Sequence, residues 1–266
     1  MNETIVFDDV CLGFKEKYDE TQVLDHVDMS IKQEEIRGLI GPSGCGKTTM
    51  LRLAAGLVQT HNISSISGDI RILGTNPRSA REDQAFGFLF QDSTLLPWRN
   101  VLDNVLLPCD ISNNRNENVT KAHRLLDQSG LLEFKNSYVW DLSGGMKQRV
   151  ALVRALMTSP SILILDEPFY ALDEIVKYEL FDVIQKFWRS LTPSIIFVAH
   201  DLSDVVALCD RVTVLSERPA RVLDTVDVKL PRPRSFEHRT SQEFANSLNA
   251  VRRALEYGVS GNRNVY

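Results

Sequence analysis

The sequence predicts an α/β fold around a parallel sheet, and three stretches carry that prediction. GPSGCGKT, Gly41 to Thr48, lies between the compact apolar strand IRGLIG and the helix-periodic run TTMLRLAAGL. SILILDEP and SIIFVAHD are short apolar runs that end in polar residues, the pattern of strands buried on both faces. Between those two runs DEIVKYELFDVIQKFWRSL, a long amphipathic helix, so strand, helix and strand alternate. With 266 residues, 43% hydrophobic and 24% charged, the chain can bury one large α/β core, or one core with a lobe inserted into it.

Taken in order, residues 3–12 and 23–31 read as short strands, VLDHVDMSI showing the alternation. IRGLIG then feeds the glycine-rich stretch and its helix. ISGDIRILG reads as a strand pair closed by Gly74 and Asn76, and FGFLF as a strand running into Gln91. From about 92 to 158 the pattern is helical, through RNVLDNVLLP, VTKAHRLLDQSGLLEF and the run after Ser143, with DISNNRNEN as a polar loop. SIIFVAHD leads to a short helix and then RVTVLSE. LPRPRSFEHRT is a linker into a final helix around 241–257, and its Arg232, Arg234 and Arg239 read as solvated. The sequence has no internal repeat.

Composition excludes several classes. A net charge of −5 gives no general attraction to nucleic acid. MNETIVFDDV has acids and no long apolar run, so no secretory signal is expected. Nowhere do about eighteen apolar residues follow one another, so membrane association has to go through a protein partner. Cys11, Cys45, Cys109 and Cys209 show no C-x-x-C spacing, which fits free thiols in a reducing cytosol and argues against zinc or a disulfide frame.

Two motifs carry the chemistry. GPSGCGKT fits G-x-x-x-x-G-K-[ST] in the strand-to-helix context that a phosphate loop requires. Gly41, Pro42, Ser43, Gly44, Cys45, Gly46, Lys47, Thr48 and Thr49 form the expected phosphate-binding set. Its backbone amides cradle the phosphates, Lys47 supplies a point charge, and the Thr48 hydroxyl can ligate Mg²⁺. Cys45 reads as a small spacer, although a thiol at a helix start can have a lowered pKa and so be open to alkylation. ILILDEP sets Asp166 and Glu167 at the carboxyl end of a buried strand, where ligands of open α/β sheets gather. Beside a phosphate loop, Asp166 suits the nucleotide's Mg²⁺ and Glu167 suits an attacking water. LSGGMKQR sets a Ser-Gly-Gly at the mouth of a helix, a ready anion site.

The order of phosphate loop, LSGGMKQR and LDEP resembles the ATP-binding subunit of ABC transporters, over roughly residues 3–225. The resemblance implies a P-loop NTPase core of the ABC type with an antiparallel β subdomain and an inserted α-helical subdomain. The ATPase domain then covers 1–225, its helical subdomain about 92–158, and a linker and helix 226–266. It also implies a head-to-tail dimer in which the signature residues Leu142, Ser143, Gly144, Gly145, Met146 and Gln148 act in trans, with Ser143, Gly144 and Gly145 meeting the γ-phosphate held by the other subunit. Carried over residue by residue, Gln91 joins Thr48 and Asp166 as a Mg²⁺ position, and Glu167 and His200 are catalytic. Ala171, Leu172 and Asp173 cross the dimer seam, and an aromatic stacks on adenine, Phe14 by preference with Tyr18 in reserve. The chain departs from the pattern at Tyr170, usually a small residue. KQEEIRG lacks a usual glycine, and SYVWDLSGG lacks a usual proline. None of these touches a phosphate or metal position, so an active ATPase is expected.

QDSTLLPWRNVLDNV is similar to the bacterial importers of nitrate, aliphatic sulfonates, taurine and related small anions. Leu95, Leu96, Pro97 and Trp98 form an apolar patch suited to a helix of a membrane permease. The resemblance thus implies ATP and Mg²⁺ as cofactors, and a second copy of the chain and permease subunits as partners. A solute-binding protein acts indirectly, and the subunit sits on the cytoplasmic face of the inner membrane. Two other readings stand beside this one: a soluble ABC ATPase of the iron–sulfur assembly type, which length alone allows, and an importer subunit for another small organic solute.

Overall fold

The computed structural model describes residues 3–15, 20–58 and 63–261. Two compact units form, one from Met1–Asp83 with Ser194–Tyr266 and one from Gln84–Pro193. The first begins with β1 (Glu3–Lys15), β2 (Glu20–Lys32), β3 (Ile36–Ile40), α1 (Lys47–Ala54), β4 (Ile63–Ile72) and α2 (Pro77–Glu82). The second holds β5 (Phe86–Leu89), α3 (Val101–Val105), α4 (Leu107–Ile111), α5 (Arg115–Gln128), α6 (Gly144–Leu156), β6 (Ile162–Asp166) and α7 (Glu174–Leu191). The chain returns to the first with β7 (Ser194–Val198), α8 (Leu202–Leu208), β8 (Arg211–Leu215), β9 (Val222–Asp227) and α9 (Gln242–Gly261).

In the first unit β1 pairs antiparallel with both β2 and β4. β3 pairs in parallel with β7 on one side and β8 on the other, and β9 closes that edge antiparallel to β8. All five positions of β3 are buried, as are all five of β7. Such strands need a helix on each face, hence their unbroken apolar runs. Gly38 shows how close one helix comes: a Cβ built there would lie 2.4 Å from Cγ1 of Val205 in α8. Arg37, 1% exposed, is the one charged side chain of β3. It donates to Glu35 Oε1 (2.6 Å), Thr213 Oγ1 (3.0 Å) and Ser30 O (2.8 Å), so its charge and donors are matched. The KQEEIRG turn keeps its left-handed residue without glycine, because Glu34 stands there at φ 62° at a cost of about 1–2 kcal/mol.

Several elements differ from their sequence patterns. ISGDIRILG runs along one strand, β4, which pairs with β1; the turn at Leu73 and Gly74 closes only a single bridge, Ile72 with Thr75, and no second strand. Asn76 closes no hairpin: its Oδ1 accepts the Ser79 N–H at 3.0 Å and Pro77 opens α2, a helix start rather than a turn. Helix begins at Val101 rather than near 92, with Asn100 as N-cap. Within DISNNRNEN only residues 112–114 are non-helical, because α4 runs to Ile111 and α5 begins at Arg115. Nor are the arginines of the C-terminal segment solvated. Arg232 Nη2 bonds Asp210 Oδ1 at 2.7 Å, Arg239 Nη2 bonds Asp204 Oδ1 at 2.7 Å, and buried Arg234 donates to Val206 O at 3.0 Å. Asp210 Oδ2 in turn accepts the Ile36 N–H at 2.9 Å, so this segment is laced to the head of β3. Acids and carbonyls distant in sequence satisfy these charges, which composition cannot reveal.

The close approach at Gly38 predicts that Gly38→Ala lowers stability by about 1–3 kcal/mol through overpacking. Urea unfolding checks this. A neutral substitution would mean that α8 yields freely.

Candidate active site

The first unit carries the phosphate loop. β3 delivers Gly41, and the chain turns through Gly44 at φ 73° and Gly46 at φ 126°, angles that only glycine adopts without strain. Gly46 is the N-cap of α1, and no side chain caps the helix or places an acid in its first turn. The helix start therefore keeps its positive end for an incoming anion. Lys47 is buried and its Nζ donates to Gly41 O (2.8 Å) and Pro42 O (3.0 Å), which holds the ammonium inside the loop. Cys45 is 1% exposed. It is a packed spacer, and the alkylation expected of a thiol at this helix start has no open path. Sequence reasoning missed Arg218, whose Nε braces the loop through Gly44 O at 3.1 Å.

His200 reaches the same edge by register. Leu39 stands opposite Val198 in parallel strands, so β3 and β7 release Gly41 and His200 side by side. His200 is exposed, and Thr48 and Thr49 are half-buried. Phe14 is half-buried on β1, opposite Thr21 and Ile63. Tyr18, its reserve, lies outside the described residues.

In the second unit β5 and β6 run parallel with Leu89 opposite Leu165, so Gln91 and Glu167 leave neighbouring strands at the same level. Asp166 is 7% exposed. Glu167 takes φ 53° and Ala171 φ 56°; such left-handed residues cluster at functional sites. Asp173 caps α7 by accepting the Val176 N–H at 3.0 Å. Ser143 caps α6 by accepting the Met146 N–H at 3.3 Å; the cap uses a lone pair and leaves the hydroxyl hydrogen free to donate. Leu142 and Gly145 are buried, and Gly144 is exposed. A Cβ on Gly145 would meet Cγ1 of Val176 at 2.0 Å, and one on Gly144 would meet Leu172 at 3.7 Å. Thus glycines let the starts of α6 and α7 touch.

The same helix reaches Gln91 and the segment after it. Gln148 Nε2 donates to Gln91 O at 2.8 Å. Arg154 donates to Ser93 O (2.8 Å) and Thr94 O (2.8 Å). Beyond it, fully buried Asn104 accepts the Leu96 N–H at 2.7 Å and donates to the carbonyls of Leu96, Arg99 and Asn100. This clamp fixes the turn that presents Trp98, 70% exposed, while Leu95 and Leu96 are half-buried and Pro97 is exposed. Asn100 bridges to Tyr138, which stacks on Trp140 with ring centroids 4.6 Å apart. Both rings are exposed. Arg154, Asn104, Tyr138 and Trp140 gave no motif signal: the partners of Arg154 lie 60 residues away, and the other three act in irregular turns that follow no spacing rule.

A family model described as ABC transporter matches residues 24–170. The chain belongs to the ABC transporter family. Among relatives of this ABC transporter subunit, the aliphatic sulfonates import ATP-binding protein SsuB of Pseudomonas entomophila is 42% identical over 236 residues, 88% of this chain and 82% of that one. SsuB of Bacillus cereus is 33% identical over 255 residues, covering 96% and 97%. Among solved structures, cbiO1 of Clostridium perfringens, part of the ABC transporter complex cbiONQ, gives a TM-score of 0.73 at 25% identity over 85% of this chain and 88% of that one. A dimeric bacterial ABC transporter cassette gives 0.72 at 26% identity, over 85% and 100%. The ABC fold is therefore established, and the subunit is an ATP-binding ATPase.

The contact between the two helix starts is open to a direct test. Gly145→Ala should destabilise this ABC subunit, and Val176→Ala, which removes the obstructing methyl, should restore much of the loss. A double-mutant cycle by urea unfolding should give a coupling of about 0.5–3 kcal/mol. Additive effects would show that the contact is not what requires glycine.

Proposed function

We propose that this subunit energises import of a small anionic, sulfonate-like solute, working as a head-to-tail dimer with a second copy on a membrane permease. One observation carries the reading: α6, which bears the LSGGM stretch, also holds Gln91 through Gln148 and the turn before Trp98 through Arg154. Closure around nucleotide and movement of the aromatic patch then share one helix, the short contiguous link that coupling requires. The SsuB relatives support the sulfonate branch. Among the described residues no helix is long and apolar enough to cross a membrane. In this reading the subunit attaches to the cytoplasmic face of the inner membrane through the permease, and a solute-binding protein delivers the solute from the other side.

In this reading Lys47 and the amides of the loop hold the phosphates of ATP. Thr48, Gln91 and Asp166 offer only oxygen donors, and Asp166 is an almost fully buried carboxylate, a set that suits Mg²⁺. Bound there, Mg²⁺ would neutralise charge on the β- and γ-phosphates. Glu167 polarises a water that attacks the γ-phosphorus in line, the bond to the ADP oxygen breaks, and His200 steadies the geometry. Ser143, Gly144 and Gly145 complete the partner's site. Leu142, Met146 and Gln148 support that loop, and Ala171, Leu172 and Asp173 line the seam. Phe14 stacks on adenine. Leu95, Leu96, Pro97 and Trp98 seat a permease helix.

Glu167→Gln should keep ATP binding and lose about 10²–10⁴-fold in turnover, the usual contribution of a general base. Wild-type hydrolysis by this variant would remove Glu167 from its role. In the Glu167→Gln background, Ser143→Arg should bind ATP as a monomer and fail to dimerise in gel filtration. An ATP-dependent dimer there would overturn the head-to-tail reading.

Trp98→Ala should leave the melting temperature and ATP binding unchanged while permease co-purification falls sharply, as truncation of an aromatic anchor typically removes about 2 kcal/mol or more of binding. A destabilised variant that still co-purifies normally would refute the docking role.

A further inference from the structure

We infer that Cys11, Asp25 and His26 form a site for a divalent transition metal of the zinc class, on the antiparallel sheet of the first unit. Two bulges build it. Between the pairs Val10↔Val27 and Leu12↔Leu24 the register slips by one, so Cys11 stands opposite both Asp25 and His26. A bulge of this kind re-aims side chains. His26 takes φ 49° to accommodate it, a left-handed conformation that an imidazole-bearing residue adopts only at a cost. The neighbouring slip between Phe7 and Val10 contains Asp9, at φ 52°. One ligand atom from each of Cys11, Asp25 and His26 lies within 4.8 Å of the other two.

The bonds around these atoms match what a metal needs. Asp9 Oδ1 lies 2.5 Å from His26 Nδ1, which fixes the ring and its tautomer and leaves Nε2 to ligate. A carboxylate behind a ligating histidine is the usual outer shell of such sites. Nε2 is 3.8 Å from Asp25 Oδ1, too long for a hydrogen bond. Two ligands of one tetrahedral zinc ion stand about 3.4 Å apart, so a shift of a few tenths of an ångström brings both to the ion. Cys11 is half-buried with a free thiol, and its Sγ accepts the His26 N–H at 3.2 Å, support that a thiolate ligand also requires. Sulfur, nitrogen and one carboxylate select zinc-like ions over Mg²⁺, which prefers oxygen alone. The His26 side chain is 66% exposed, so water can take the fourth position.

Charged neighbours set the conditions. Arg221 Nε bonds Asp25 Oδ2 at 2.6 Å and Gln22 Nε2 bonds Oδ1 at 3.1 Å, which neutralises the buried carboxylate while no ion is bound. Hydrogen bonding and charge from Asp9 raise the His26 pKa, aided by Asp25 and opposed by desolvation and Arg221. The simpler alternative is a His26–Asp9 surface ion pair beside a packing cysteine, with no affinity for metal.

The test is Co²⁺ titration of the full nucleotide-free chain under reducing conditions, read by sulfur-to-cobalt charge-transfer absorbance with Zn²⁺ as competitor. One equivalent should bind with that band, and Zn²⁺ should abolish it. Cys11→Ser should eliminate the band, His26→Ala should weaken binding at least about tenfold, and Asp9→Asn about 10–100-fold. Melting temperature and ATP affinity of the metal-free variants should match those of the wild type. A wild type without the band, a band that survives Cys11→Ser, or His26 and Asp9 variants that bind as tightly as the wild type would each overturn the assignment.

Discussion

Strand β3 has no exposed position, and the functional parts of the first unit are fixed from it. Its head is tied to Asp210 and its middle to Thr213 and Ser30 through Arg37. Its carboxyl end releases the phosphate loop. A buried guanidinium that lost one partner would leave an uncompensated charge and cost about 3–5 kcal/mol. The strand therefore has one register open to it, and Gly41 and Lys47 inherit that precision. Cys209, buried behind β3, has its thiol pKa pushed up, which keeps it an inert packing group.

The second unit solves a different problem. The stretch after Gln91 has no sheet ladder, yet its carbonyls must find donors. Helix side chains supply them: Gln148 and Arg154 from α6, Asn104 from α3. Irregular backbone held in this way is as fixed as a strand. The exposed Trp98 therefore stands on a turn whose backbone is held in place.

How much of this was legible depends on where each residue's partner lies. The phosphate loop, LDEP and α7 declare themselves, because their signals are local: glycines at set spacing, apolar runs, an Asp173 cap. Asn76 was legible only in part, since a capping Asn-Pro and a turn Asn-Pro look alike in composition. The helix from Arg115 was hidden by its polar start. Arg154 and Arg234 were not legible at all, for each serves atoms tens of residues away, and Asn104 was not because the turn it clamps follows no spacing rule. The two bulges around Cys11 were likewise invisible, because register is a property of two strands together.

The contact of α6 with α7 at Gly145 and Val176 has an electrostatic consequence. Each helix start carries about half a positive charge, so two like poles share one place. The caps Ser143 and Asp173 and the acid Glu174 soften the repulsion. An oxyanion arriving there is drawn by both poles and relieves the strain between them. Anion affinity and helix packing at these two helix starts are therefore coupled.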